Sequence, residues 1–351
     1  MPSIRKISQL VAAELMEDQS SQEIEKMEQV VEKFSLSLTP QIVELMQSGS
    51  EQDKEAIRRQ FLPSAEELSV TPSELKDPTG DDVYTKVKGL VHRYPDRCLL
   101  MPIMSCPVYC RFCYRREKVG SDSKALSKVE LDNAFSYIRE HKEIWEVIIT
   151  GGDPLVLKPK KLAEIFSELE AIEHVAVVRI HTRVPVVDSV RITEEMIQAL
   201  KINKAVYVGI SLMHPGDMTE MARVACARFV DAGIPLLGQT VLLKGINDTP
   251  EVMGELMRTM VKNRIKPYYL HHAELAEGTA HFRTSIHTGQ QIMKALRGHY
   301  SGLCQPTYVL DIPGGFGKSP IGPSYLSAAS ECAQENFTVE DYQGKFHCYE
   351  P

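Results

Sequence analysis

The chain has 351 residues, of which 43% are hydrophobic and 25% charged, and a formal net charge of −7. These are ordinary globular values with room for one large domain or two of about 150 residues. The negative balance excludes a protein that gathers nucleic acid by general phosphate attraction. No apolar run approaches the ~18 residues of a membrane span, and MPSIRKISQLVAAELMEDQS lacks the apolar core of a signal peptide. The eight cysteines are Cys98, Cys106, Cys110, Cys113, Cys226, Cys304, Cys332 and Cys348. With three of them clustered and no secretion signal, the expectation is a cytoplasmic protein with a metal or redox role rather than a disulfide framework.

Residues 1–90 read as a polar helical region. EIEKMEQVVEKFSLSL and SEQDKEAIRRQFLP carry apolar residues at helical spacing, and TPSELKDPTGDD then breaks the pattern with Pro, Gly and Asp. From residue 99, short β-branched runs alternate with amphipathic stretches. The expected strands are 99–104 (LLMPIM), 146–150 (EVIIT), 175–180 (VAVVRI), 205–210 (AVYVGI), 235–243 (PLLGQTVLL) and 267–271 (PYYLH). Pro102 is an awkward residue for the first, because it cannot donate to a ladder. Helical patterns such as KKLAEIFSELEAI and PEVMGELMRTMVKN lie between them, and Gly233 sits where a helix C-cap belongs. This alternation predicts an α/β fold: a partial (β/α)6-type barrel over 91–285, with a C-terminal segment at 286–351. The chemically unusual residues follow strand ends, where β/α barrels place their active sites.

The first such landing is SCPVYCRFCYRR, which sets Cys106, Cys110 and Cys113 at C-x3-C-x2-C spacing. Thiolates suit zinc, copper or iron–sulfur centres. Three can hold three irons of a 4Fe–4S cluster and leave the fourth iron for a substrate or cofactor. A zinc knuckle completed by a distant Cys or His is the alternative on the cysteines alone. Tyr109, Phe112 and Tyr114 surround the thiols with the aromatic shell that tunes a cluster. This spacing after the first strand resembles the radical S-adenosylmethionine (SAM) enzymes, in which SAM chelates the open iron and is cleaved to a deoxyadenosyl radical. Gly151, Gly152 and Asp153 of TGGDP resemble the second landmark of that superfamily, which meets the amino group of SAM.

Near the C-terminus, a β-rich run holding Asp311 is followed by PGGFG and Lys318. Such a lysine is either an ordinary surface residue or the Schiff-base partner of pyridoxal phosphate (PLP). HRYPDR (92–97), the cysteine loop, TGGDPL, GQTVLLKGIND (238–248), PYYLHHAELAEGTAHFRT (267–284) and LDIPGGFGK together resemble the lysine 2,3-aminomutase family, from about residue 60 onward. The resemblance implies that Lys318 carries PLP, that Arg93 and Arg97 contact PLP, and that Gln239 lies near SAM. It further implies that Arg115 pairs with the substrate carboxylate, and that Asp311 and Glu274 receive the ammonium of lysine.

Three features depart from the family pattern. Glu274 stands where Asp is usual, and Ser211–His214 reads SLMH in place of H-x-N-H. Thr249 occupies the position of a zinc cysteine, so a homo-oligomer without structural zinc is expected. The implied reaction moves the α-amino group of L-lysine to the β-carbon, with electrons from a reductase, flavodoxin or ferredoxin and no nucleic-acid or membrane partner. Two alternatives are an aminomutase for another cationic amino acid and the enzyme that converts a lysine on elongation factor P. A non-enzymatic metal regulatory protein would leave Lys318 and HRYPDR unexplained. His271, His272 and His281 are assigned no catalytic role, and Cys226 and Cys304 read as core thiols.

Overall fold

The fold is taken from a computed structural model that describes residues 3–16, 19–120, 124–328 and 337–349; Cys332 lies outside the described residues. The chain begins with helices α1 (Ile7–Ala12), α2 (Ser21–Lys33), α3 (Pro40–Gln47) and α4 (Glu51–Phe61), followed by a single turn, α5 (Asp81–Tyr84). Their starts are written locally. Ser20 caps α2 in a reciprocal box with Glu23, and Thr39 caps α3 ahead of Pro40.

Helix gives way to strand before residue 90. Strands β1 (Thr85–Val87), β2 (Leu90–Tyr94) and β3 (Arg97–Ile103) form an antiparallel edge. From β3 onward the ladder is parallel through β4 (Glu146–Gly151), β5 (Val177–Thr182), β6 (Ala205–Ser211), β7 (Leu236–Leu242), β8 (Ile265–His272) and β9 (Thr307–Ile312). β10 (Gly317–Pro320) turns back antiparallel on β9. The ten strands pair in chain order and the sheet stays open, so the barrel is partial. Pro102 is accommodated inside β3 because the register with β4 slips between Leu100 and Ile103, which removes the need for its missing N–H.

The crossovers are α6 (Lys128–Glu140), α7 (Pro159–Glu170), a turn α8 (Val184–Val187), α9 (Glu194–Ala199), α10 (Glu220–Asp231) and α11 (Pro250–Lys262), with α12 (Ile286–Leu296) before β9. Because helices cover the parallel strands, β4 and β5 are buried at all but one position each and read as near-continuous β-branched runs. Ile149, Ile180, Val208, Leu236 and Ile265 are register partners across five strands, and all are buried. Each such side chain contributes about 1.5–3 kcal/mol by leaving water. The alternate residues of the same strands, among them Ile148, Arg179 and His181, face the cavity described below. Cys226 and Cys304 are buried, as expected of core thiols. Thr249 caps α11 through Val252 N–H. A separate three-stranded sheet, β11 (Leu326–Ala328), β12 (Phe337–Glu340) and β13 (Phe346–Tyr349), is tied to α12 by Lys294 and Glu340 at 2.6 Å. Among the described residues no helix is long and apolar enough to cross a membrane.

Candidate active site

A cavity of about 600 Å³ opens at the carboxyl ends of the parallel strands. Every site residue expected from the sequence lines it, from Arg93 in β2 to Lys318 in β10. The cysteine loop follows β3 and has no regular structure of its own, so other segments fix it. Tyr109 N–H donates to Ser37 O at 2.9 Å and Arg111 N–H to Gln60 O at 2.8 Å. Glu67, fully buried, pairs with Arg111 at 2.5 Å and with Arg116. The N-terminal helical segment is therefore the outer wall of the loop.

Burial pushes the Cys106 thiol well up, and burial with the neighbouring Cys110 pushes Cys113 to about 11. Burial of Cys106 and Cys113 favours the thiol, and a bound metal would supply the positive charge that makes a thiolate. Three cysteines that all line one cavity suit a four-iron cluster whose fourth iron is left for another ligand.

The glycines of the loop after β4 have a packing role in addition to lining the cavity. A Cβ on Gly152 would lie 2.3 Å from Ser105 O, and one on Gly151, at φ +115°, would lie 2.5 Å from Ile103 O. The missing side chains make room for the cysteine loop, and the two loops are then stitched by Gly152 N–H to Ile103 O and Asp153 N–H to Ser105 O, both 2.9 Å. The Asp153 carboxylate is consumed by Thr182 Oγ1 at 2.7 Å, Arg183 N–H at 2.6 Å and the Leu155 and Val184 amides. These bonds hold Asp153 at the edge of the cavity.

On the opposite wall, charged groups alternate. Lys318 Nζ pairs with Asp311, and Arg93 reaches Asp311 at 3.3 Å and Asp81 at 2.9 Å. Arg115 pairs with the other oxygen of Asp81 at 2.8 Å. Burial alone would raise the Asp81 carboxyl, but Arg115 and Arg93 outweigh it and hold the value below the ordinary range. Glu274 feels Lys318 and Arg115 too weakly to offset its burial. Burial, with the charge of Asp311 added, pushes it up to about 7. Lys318 N–H donates to Tyr94 Oη at 2.8 Å, and the Arg97 guanidinium lies over the Tyr94 ring at 3.9 Å. The HRYPDR hairpin thus seats the lysine strand.

Gln239 sits where β7 slips register against β8, which re-aims its side chain, and its amide donates to His181 Nε2 at 2.9 Å. Burial keeps His181 neutral, and burial with Lys318 lowers His271 to about 3. His271 lines the cavity, whereas His272 bonds to Tyr308 Oη at 2.8 Å and His281 lies elsewhere. Of the departing residues, Ser211 faces the cavity while His214 caps the turn after β6. Sequence reasoning missed Asp81, which lies in a stretch read only as a helix breaker, and Glu67, an unremarkable acid in a polar region.

Comparison with known proteins places this cavity in a class. The Radical SAM superfamily profile matches residues 100–257, from β3 into α11. The protein is a radical SAM enzyme, a class that works with a 4Fe–4S cluster and SAM. A second profile, described as Lysine-2,3-aminomutase, matches residues 293–351. L-lysine 2,3-aminomutase of Clostridium subterminale is 38% identical over 330 residues, covering 94% of this chain and 78% of that protein. That of Fusobacterium nucleatum is 40% identical over 313 residues, covering 89% and 73%. Glutamate 2,3-aminomutase of Clostridioides difficile is 38% identical over 308 residues, covering 88% and 72%. The chain belongs to the lysine 2,3-aminomutase family and is an isomerase.

Proposed function

We propose that the protein is a PLP-dependent 2,3-aminomutase that converts L-lysine to β-lysine. The observation that carries this reading is the occupant of Asp311. Its carboxylate holds the Nζ of Lys318, an alkylammonium of the kind that ends a lysine substrate, with Glu274 close enough for their charges to interact. A site built to take one lysine ammonium suits a second.

The residues present fit the three cofactors. Cys106, Cys110 and Cys113 would hold the cluster, and Gly151, Gly152 and Gln239 would border SAM. Lys318, Arg93 and Arg97 would hold PLP; the buried Arg93 Nε lacks a partner in the ligand-free protein, a donor left for an anionic group. Together these cofactors supply a carbon-centred radical and a π-system through which nitrogen can move between adjacent carbons.

The chain's own part is placement. Arg115 offers a fixed guanidinium fork to the substrate carboxylate. Asp311 and Glu274 take the far ammonium, so the substrate is gripped at both ends and its β-carbon is held in one place. Asp311 would also hold the Lys318 amine whenever that amine is free. His181 and His271, kept neutral by burial, add no charge that would repel a cation. A dicarboxylate would set its own charge against Asp311 and Glu274, which disfavours the glutamate reaction of the related enzyme.

Anaerobic product analysis with SAM, PLP, dithionite and either L-lysine, L-ornithine or L-glutamate tests this. β-Lysine is expected. Reaction of glutamate without reaction of lysine would overturn the assignment of Glu274 and Asp311.

A further inference from the structure

Arg183 follows β5 and takes no part in the chemistry above. Its Nη1 donates to Cys110 Sγ at 2.8 Å, and its side chain is 8% exposed. Its other nitrogen is anchored away from the cysteine: Nη2 donates to Gln60 Oε1 of α4 and lies 3.4 Å from Asp217 Oδ2. Asp217 is itself fixed by Met213 N–H at 2.8 Å and His214 N–H at 3.2 Å. The guanidinium plane lies near Phe61, at 4.6 Å, and Phe112, at 5.4 Å. Its backbone is pinned to Asp153, so one residue ties the glycine loop, the cysteine loop and α4.

We propose that Arg183 sets the reduction potential of the cluster through its charge and its hydrogen bond to Cys110, a role that rests on reading the three cysteines as cluster ligands. Reduction adds one electron, and the electron density reaches the ligand sulfurs. A buried cation donating N–H to one of those sulfurs stabilises the reduced state more than the oxidised one, which raises the potential. Burial keeps solvent and salt from screening the effect. Arginine suits the task because it stays charged and its planar fork can touch sulfur on one side while Gln60 and Asp217 hold the other. Asp217 offsets part of the charge, so the pair sets an intermediate value.

The test is a dithionite titration of the reconstituted protein without SAM, followed by the EPR signal of the reduced cluster and normalised to iron content. Arg183→Met is expected to retain iron and shift the midpoint to more negative potential, with Arg183→Lys between it and the unsubstituted protein. An unshifted midpoint at full iron content in Arg183→Met overturns the proposal. Should that variant lose its iron, pulsed EPR of unsubstituted protein carrying guanidinium-15N arginine decides. A 15N coupling to the reduced cluster is expected, and its absence overturns the proposal. Failure of the unsubstituted protein to assemble any cluster would overturn the cysteine reading as well, and so separates the two.

Discussion

Glu274 is the residue at which the chemistry of this site is most exposed to measurement. Its ordinary value is 4.5 and the fold raises it to about 7. Between those values the folded protein keeps a proton that the unfolded chain has released, so stability falls as pH rises through the window. The raised carboxyl costs about 3 kcal/mol above pH ~7. Glu274→Gln should abolish that decline, and thermal midpoints of ligand-free protein at pH 5 and pH 8 will differ less in the variant. The same titration governs a cationic substrate. Affinity for lysine should rise from pH 6 to 8 in the unsubstituted protein and lose that rise in the variant. A parallel pH dependence in both would show that Glu274 does not meet the ammonium. Glu274 was visible in the sequence only as a departure from a family pattern, because a carboxyl's value depends on burial and neighbours that a sequence does not display. Asp81 was harder still: among Asp77, Asp81 and Asp82, the sequence does not say which acid the fold buries between two arginines.

At the scale of elements, the strands most legible in the sequence are those buried on both faces. The runs in β4, β5 and β6 are continuous and β-branched because helices cover them, so composition alone locates them to within about two residues. The edge strands β1, β2 and β10 escaped this reading. They are short, half-exposed and stabilised by pairing with chain that is remote or runs the other way. Lys318 therefore lies in a strand opposite Asp311, where the sequence suggested a glycine-rich turn. The β4 loop makes an element-level prediction. Gly152→Ala places a methyl group 2.3 Å from Ser105 O and 2.6 Å from Met104 C, both backbone atoms that cannot rotate aside. The variant should lose about 3 kcal/mol or more by overpacking. Iron retention should fall before far-ultraviolet circular dichroism changes, because the cysteine loop is what moves. Full iron binding with unchanged unfolding midpoint would show that the loops are not packed against each other.

Across the whole molecule, the N-terminal helices close the back of the active site. Glu67 binds two buried arginines that flank the cysteines, and removing its charge leaves both uncompensated. Glu67→Gln should cost about 3–5 kcal/mol in urea unfolding, the range for breaking a buried pair by removing one partner. A loss below 1 kcal/mol would mean that the pair is hydrated. Periodicity identified these helices but not their purpose, since the partners of Glu67 lie over forty positions away. A longer-range closure acts at the opposite wall. Gly80 abuts the turn at Gly314 and Gly315, where an added Cβ would lie 2.8 Å from Gly315 Cα, and this brings Asp81 and Arg93 beside Asp311 and Lys318. A ribosome makes the chain in one direction. The residues of the cysteine loop and its N-terminal wall emerge within the first third, the glycine loop and Arg183 that tie them follow by residue 183, and the lysine wall must wait for nearly the whole chain. The two halves of the chemistry are thus supplied in a fixed order along the chain, cysteines before lysine, and the earliest acid and arginine meet the latest amine only when synthesis is nearly done.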